Sequence, residues 1–456
     1  MISAGIFREY DVRGVFGKDL TLEAAELIGK GFGAYSKEKG VKKITLGRDV
    51  RLSSDALHDS IIKGLTEAGL EIIDVGVCPT PLLYFSIHHL KADGGVMITG
   101  SHNPPEFNGF KLAIGKETIY GDKIQEVRKI IEGGKFEKGK GTVSDYDIVQ
   151  DYLNYLKNNF GGFRKSKRPL KIVVDCGNGT AGIAAPAILK LLGCDVVELF
   201  CNLDGNFPNH HPDPTIPKNL EALIRKVKEE KADFGAAYDG DADRIGVVDE
   251  NGEIIWGDKL MIIFSRDILK KKPGATFISE VKSSQTMYDD ITKNGGNAIM
   301  WKTGHSLIKA KMKEAGALLA GEMSGHIFFA DRYLGYDDAI YATCRLAEIL
   351  AESNKKTSEL LSDVPKTYST PEIRIDCPDE KKFQIVETAK ERFRKEYKII
   401  DVDGVRILFN DGWGLIRASN TQPVLVMRFE ANSEKRLKEI KDFVEAELNK
   451  CQTLLQ

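Results

Sequence analysis

Four short segments of this 456-residue chain carry side chains in combinations suited to chemistry. The densest is Asp239-Gly240-Asp241-Ala242-Asp243-Arg244, with carboxylates at i, i+2 and i+4 and a glycine that lets the backbone turn sharply between two of them. Like charges this close raise one another's pKa, and a bound hard cation is the natural compensation. All-oxygen ligation favours Mg²⁺, which keeps water or a substrate phosphate in its remaining positions; the segment is too short for an EF-hand loop. A solvated acidic turn would use the same residues, so the segment takes its meaning from its company.

That company begins with Thr99-Gly100-Ser101-His102-Asn103-Pro104-Pro105, a hydroxyl on a loop that follows an apolar strand, with Pro104 keeping Asn103 out of the helical region. Ser101 beside His102 is thin evidence for a nucleophile, because adjacent side chains rarely face each other, and a turn with local backbone bonds fits equally well. A serine that carries phosphate, however, needs a cation to neutralise phosphoryl charge, and a triple-Asp loop would supply one. Arg417-Ala418-Ser419-Asn420-Thr421-Gln422-Pro423 joins a guanidinium to hydroxyls and an amide, the donors that phosphate oxygens accept from. Gly321-Glu322-Met323-Ser324-Gly325-His326 offers carboxylate, hydroxyl and imidazole, a set suited to sugar hydroxyls, although an ordinary polar loop reads the same way.

Apolar runs alternate with amphipathic stretches around these loops, which predicts an α/β fold with helices covering largely parallel sheets. Ile44-Thr45-Leu46 reads as a strand with Gly47-Arg48-Asp49 as its exit, Ser53 as a helix N-cap, and Leu57, Ile61 and Leu65 at helical spacing. Val96-Met97-Ile98, Ile172-Val173-Val174 and Gly235-Ala236-Ala237-Tyr238 each run into a polar, glycine-bearing loop. Ligands bind beyond the carboxyl ends of such strands, so the loops are expected to line one cleft between domains. A long helix is expected over 341–361, a linker over 365–371, and beyond it a small α+β unit with strands at 405–409, 414–417 and 424–429 closed by a helix over 433–448.

At about 150 residues per domain the length predicts roughly three domains. Lys+Arg total 65 against Asp+Glu 67, a net charge of -2, so no electrostatic footprint for nucleic acid or an anionic membrane is expected. Seven scattered cysteines without a CxxC pair, charges in the first ten residues and no apolar run of about 20 residues predict a cytoplasmic protein.

In their order along the chain, the four motifs make this sequence resemble the α-D-phosphohexomutase superfamily, in its phosphomannomutase/phosphoglucomutase branch. Phe7-Arg8-Glu9-Tyr10-Asp11-Val12-Arg13-Gly14, Asn108-Gly109-Phe110-Lys111 and Trp301-Lys302-Thr303-Gly304-His305-Ser306 add to the match, which spans essentially the whole chain. The resemblance implies four domains around a central cleft, three related α/β domains with mixed sheets and a C-terminal α+β domain resembling the TATA-binding-protein fold. The expected divisions are 1–152 for the phosphoserine domain, 153–254 for metal, 255–366 for sugar and 367–456 for phosphate.

The resemblance further implies a reversible shift of phosphate between O1 and O6 of glucose or mannose phosphate through a phosphoserine and a 1,6-bisphosphate, with Mg²⁺ as cofactor and glucose 1,6-bisphosphate or its mannose analogue as activator. Ser101 matches the phosphorylated serine and, with Asp239, Asp241 and Asp243, the metal site. Tyr10, Arg13, Lys111, Arg244 and His326 match catalytic positions, with Lys111 or His326 as proton carrier if its pKa lies near neutrality. Lys282, His305, Glu322, Ser324, Arg417, Ser419, Asn420 and Thr421 match substrate-binding positions. Gln422 departs from the glutamate of many relatives and removes a carboxylate that would orient Arg417. A glucosamine-phosphate mutase, a metal-dependent sugar phosphatase and a silent sugar-phosphate binder are the alternatives; a hexose phosphate is the expected partner, to a monomer or homo-oligomer.

Overall fold

The computed structural model describes residues 2–161, 169–353 and 355–453. Their strands form four sheets. The first contains β1 (Val12–Val15), β2 (Lys43–Arg48), β3 (Glu71–Val77), β4 (Gly94–Ile98), β5 (Phe107–Ile114), β6 (Glu117–Thr118) and β7 (Thr142–Asp145), in the order β1-β5-β4-β2-β3-β7 with β6 beside β5. The second orders β8 (Lys171–Asp175), β9 (Asp195–Leu199), β10 (Phe234–Tyr238), β11 (Ile245–Asp249) and β12 (Ile254–Ile255) as β12-β11-β10-β8-β9. The third holds β13 (Thr276–Glu280), β14 (Asn297–Trp301), β15 (Leu319–Gly321) and β16 (Ile327–Phe329) as β14-β13-β15-β16. All three are mixed: β4-β2-β3, β10-β8-β9 and β14-β13-β15 run parallel, whereas β1-β5-β4, β12-β11-β10 and β15-β16 run antiparallel. The largely parallel sheets read from the apolar runs are thereby corrected. A buried hairpin strand such as β11 is buried at every position and carries an unbroken Ile245–Val248 run, so it looks the same in sequence as a parallel one.

The fourth sheet is antiparallel throughout, with β17 (Tyr368–Ser369), β18 (Ile373–Asp376), β19 (Lys398–Ile400), β20 (Val405–Phe409), β21 (Gly412–Ala418) and β22 (Val424–Ala431). Ile416 and Ala418 of β21 pack with residues of the helices Asp379–Arg394 and Glu434–Thr453, while Trp413 and Leu415 pack with Val281 of the third sheet's unit. The period-2 alternation of a strand puts Arg417 on the Trp413 side. Two expectations at this end change. Tyr368–Ser369 of the expected linker pairs with β22 as a strand, and the long helix is Ala339–Glu352, followed by a separate single turn at Ser358–Leu361. The polar run from Glu352 through Lys356 offers no apolar face on which to continue.

The helix Ala339–Glu352 is buried from Ala339 to Leu350 and belongs to one apolar cluster with residues of the first three units, including Phe85, Ile172, Tyr238, Met261 and Phe277. That shared core fixes the three sheets relative to one another. The expected boundary at 152/153 falls inside the helix Val149–Asn159, whose Tyr152, Leu153 and Leu156 are buried in the same cluster. Leu57, Ile61 and Leu65 are buried on the helix Ser54–Glu67 as their spacing predicts. Ser53 makes no capping bond there; its hydroxyl accepts from Asn108 Nδ2 at 2.9 Å.

Candidate active site

Ser101 follows β4 and has a left-handed backbone, φ 49°. Its Oγ donates to Asp239 Oδ2 at 2.9 Å, so the 3.1 Å contact with His102 Nδ1 is a donation from the ring. Burial, and then the charges of Arg244 and Arg13, push the His102 pKa well down, in keeping with a neutral imidazole. The serine loop and the triple-Asp loop, 138 residues apart in sequence, thus meet at one hydrogen bond.

Asp239, Asp241 and Asp243 are fully buried, and one oxygen from each lies within 4.8 Å of the others. Oδ1 of Asp241 and of Asp243 have no hydrogen-bond partner, which is costly for a buried carboxylate unless a cation takes them up. The donor set fits a divalent metal on that observation. Lys111 Nζ lies 2.7 Å from Asp241 Oδ2 and 2.5 Å from Asp243 Oδ2, and Thr80 Oγ1 donates to Asp241 Oδ2 at 2.6 Å. Burial pushes the Asp239 pKa well up, with Asp243 and Asp241 adding repulsion. Burial opposes charge at Asp241 as well, but Lys111 overcomes it and holds that carboxyl below its usual range. Lys111 in turn is driven well above its ordinary pKa against its own burial, by Asp241 and Asp243. In this arrangement the lysine is the ion-pair partner of two carboxylates of the acidic loop.

His326 accepts from Arg244 Nε at Nε2, 2.9 Å away. A neutral ring that accepts at Nε2 carries its proton on Nδ1, which lies 3.1 Å from Asp337 Oδ2 and 3.5 Å from Asp243 Oδ1. Asp243, His326 and Asp337 are close enough to hold an ion, but this tautomer offers it no lone pair at Nδ1. His305 stacks on His326 at 5.5 Å with 21° between the rings, and burial drives its pKa well down.

Glu322 Oε1 accepts from the backbone N–H of Gly304 at 2.7 Å, joining the loops after β15 and β14. Ser324 is partly exposed on the first of these. Gly304 has φ 131°, and a Cβ there would fall 2.5 Å from the Tyr10 ring. Tyr10 donates to Thr303 O at 2.9 Å and accepts from Asn420 Nδ2 at 3.1 Å, while burial pushes its phenol up. Arg13 donates to Asn103 Oδ1 at 3.1 Å and pairs with Asp11. Lys282 is paired with Glu372 Oε1 at 2.5 Å. Arg417 Nε donates to Asp403 Oδ2 at 3.1 Å, and Ser419 Oγ accepts from the backbone N–H groups of Thr421 and Gln422.

Every residue expected at a site is thus found around one set of linked loops. Gln422 turns away from Arg417, accepting instead from Arg374 at 3.1 Å, and Asp403 is the carboxylate that orients Arg417. Asp403, Thr80, Asp337, Glu372 and His102 were not singled out from sequence as working groups. His102 stood beside Ser101, but the others are solitary polar residues far from the motifs, and only the fold brings them in.

The chain matches phosphoglucomutase/phosphomannomutase alpha/beta/alpha domain I over residues 4–138, domain II over 150–252, domain III over 256–368 and the C-terminal domain over 372–447. It is 48% identical over 441 residues to the phosphomannomutase/phosphoglucomutase of Pseudomonas aeruginosa, covering 96% of this chain and 94% of that one. It is 47% identical over 446 residues to a phosphoglucomutase of Neisseria meningitidis, covering 97% and 96%. A crystal structure of a phosphoglucomutase/phosphomannomutase family protein from Burkholderia thailandensis superposes with a TM-score of 0.93 at 42% identity, over 99% of this chain and 98% of that one. An N-acetylphosphoglucosamine mutase variant of Aspergillus fumigatus, solved with glucose 1,6-bisphosphate, shares the fold at a TM-score of 0.63 and 14% identity, over 98% and 96%.

Proposed function

The chain belongs to the phosphoglucomutase/phosphomannomutase family, and from that premise we propose that it moves phosphate between O1 and O6 of glucose and mannose phosphates with Ser101 as the carrier. The observation that carries this reading is the Ser101 Oγ to Asp239 Oδ2 contact of 2.9 Å, which puts the serine hydroxyl against three clustered carboxylates suited to a metal. Asp239, Asp241, Asp243 and a phosphoserine oxygen would hold Mg²⁺. When bound, it supplies charge neutralisation at the transferring phosphoryl group.

The chain's own groups do the rest. Glu322 and Ser324 take the 3- and 4-hydroxyls of the sugar, and Arg417, Ser419, Asn420 and Thr421 hold the phosphate that is not being transferred. With Arg244 donating to it, Nε2 is the lone-pair atom of His326, so the attacking hydroxyl displaces the Arg244 contact and gives its proton there. As that oxygen bonds to phosphorus, the bond from phosphorus to Ser101 Oγ breaks. Lys111, Arg244, Arg13 and Lys282 supply positive charge around the phosphates, and Tyr10 and His305 wall the sugar. The product of this half-reaction is a 1,6-bisphosphate, which turns end for end and returns its other phosphate to Ser101; added glucose 1,6-bisphosphate serves as activator by the same route. The division into four domains with seams near 150, 254 and 366, a cytoplasmic setting and independence from nucleic acid and membrane complete the reading. Among the described residues no helix is long and apolar enough to cross a membrane.

A phosphorus NMR time course with Mg²⁺, trace glucose 1,6-bisphosphate, glucose 1-phosphate and mannose 1-phosphate tests it. Both sugars go to 6-phosphates without free phosphate, and Ser101→Ala abolishes conversion while keeping the native circular dichroism spectrum. Accumulating inorganic phosphate, or full activity in Ser101→Ala, overturns the proposal; reaction with glucosamine phosphate alone moves it to the amino sugar.

A further inference from the structure

Deepening the mutase reading, and resting on it, we infer that Arg51 is a positioning residue for phosphoryl transfer at Ser101. Its side chain has 0% exposure, yet it reaches no substrate-facing group. Nη1 donates to Pro104 O at 2.5 Å and Phe107 O at 2.9 Å, and Nη2 donates to Ser101 O at 2.8 Å and Asn103 O at 2.5 Å. The remaining Nε–H goes to Asp49 Oδ2 at 3.2 Å. All five donors of one guanidinium are therefore spent, four of them on backbone carbonyls spread from the nucleophile to the start of β5.

The segment between β4 and β5 needs this clamp because it has no regular structure of its own. Ser101 sits at φ 49°, a conformation that costs an L-residue roughly 1–2 kcal/mol and persists only when its surroundings impose it. Asp49 completes the restraint: the same Oδ2 accepts from Gly100 N at 3.0 Å, and Oδ1 accepts from Ser54 Oγ at 2.5 Å. The fit leaves no slack, since a Cβ at Gly100 would fall 2.3 Å from Arg51 Nε. The loop that follows β9 braces the arginine from the second sheet's unit. The Phe207 ring lies 5.3 Å from the guanidinium, and a Cβ at Gly205 would come within 3.0 Å of Arg51 Cα. With its carbonyls drawn onto Arg51, the loop holds Ser101 Oγ at Asp239, and in-line transfer tolerates little error in that placement.

Lysine cannot replace this group, because a single ammonium has three donors and no planar fork. Arg51→Lys, assayed as the phosphorylated full-length enzyme with Mg²⁺ and glucose 1,6-bisphosphate, is expected to lose about tenfold or more in kcat for glucose 1-phosphate. KM stays within about twofold, because the Arg417 clamp is untouched. The isolated phosphoenzyme also loses its phosphate to water several-fold faster by phosphorus NMR, a readout that a smaller folded fraction would not move. A folded Arg51→Lys enzyme with wild-type kcat and dephosphorylation rate, or with a change in KM alone, overturns the inference. If Arg51→Lys does not fold, Phe207→Leu decides: a lower kcat at constant KM with faster dephosphorylation supports it, and wild-type values overturn it. Failure of the wild-type enzyme itself to interconvert the sugar phosphates removes the mutase reading and this inference with it, and is read in the same assay before any variant.

Discussion

Thr80 and Asp403 show how single polar side chains hold the two ends of the site in place. Thr80 Oγ1 donates to Asp241 Oδ2, and its backbone N–H donates to Asp241 O at 2.9 Å, so the first turn of the helix Thr80–His89 sets, from another domain, one carboxylate of the proposed metal site. Outer-sphere partners of this kind are worth about 10–100-fold in metal affinity. Thr80→Val keeps the shape and removes the hydroxyl, so half-saturation by Mg²⁺ rises by about tenfold or more in activity and calorimetric titrations; an unchanged value would show that Asp241 needs no such support. At the other end, Asp403 Oδ2 accepts both from Arg417 Nε and from the backbone N–H of Thr303 at 3.0 Å. Asp403→Asn leaves Arg417 without its charged partner, and KM for glucose 1-phosphate rises about tenfold with kcat little changed, as steady-state kinetics would record. The four motif loops were legible because several functional groups crowd into a few residues. Thr80 was not, because in Cys78-Pro79-Thr80-Pro81 it reads as a helix start. Asp403, in Asp401-Val402-Asp403-Gly404, reads as a turn.

The loop between β13 and the helix Gln285–Lys293 is the element that joins the third and fourth sheets. Arg406 lies 3.7 Å over the Trp413 ring and donates to Val281 O and Ser283 O at 2.8 Å, while Arg428 donates to Lys282 O. Glu430 Oε1 accepts from Gln285 N and from Trp413 Nε1. The alternation of β20 to β22 was readable in sequence, but arginines in strands look like a solvent face, so this seam was not. Glu372 closes it through Lys282. The Lys282 charge holds the Glu372 carboxyl down to about 2 against its burial, below the ordinary 4.5. A depressed carboxyl stabilises the fold fully above its unfolded pKa and loses that contribution as pH falls through the folded one. At pH 7 the shift is worth up to about 3 kcal/mol. Glu372→Gln therefore unfolds earlier than wild type in calorimetry at pH 7. The gap narrows steadily as pH falls from about 4.5 towards 2; a gap that widens on acidification would contradict the assignment.

On the proposed mutase reading, the whole molecule has to solve a problem that none of its loops solves alone: one phosphoserine would serve both ends of a sugar, so the bisphosphate would have to turn around without leaving. Three mixed sheets share the buried helix Ala339–Glu352, and sequence periodicity could not show this because Arg345 and Glu348 read as a solvent stripe although both are buried. The antiparallel fourth sheet stands apart with its own core. Tyr10 links the two across the cleft, donating to Thr303 O and accepting from Asn420 Nδ2, and its ring meets His305 edge-on at 5.7 Å. While these bonds hold, the cleft is closed at that point; turning the intermediate requires that the fourth domain yield and then re-form them. Tyr10→Phe keeps the ring and its packing against Gly304 but removes both bonds, each worth about 1 kcal/mol. The closed state is then less populated, and the bisphosphate escapes more often per turnover. Progress curves without added glucose 1,6-bisphosphate should decay several-fold faster than wild type, while an excess of it restores most of the rate. An equal loss of rate with and without the bisphosphate would place Tyr10 in the chemical step instead of in retention of the intermediate.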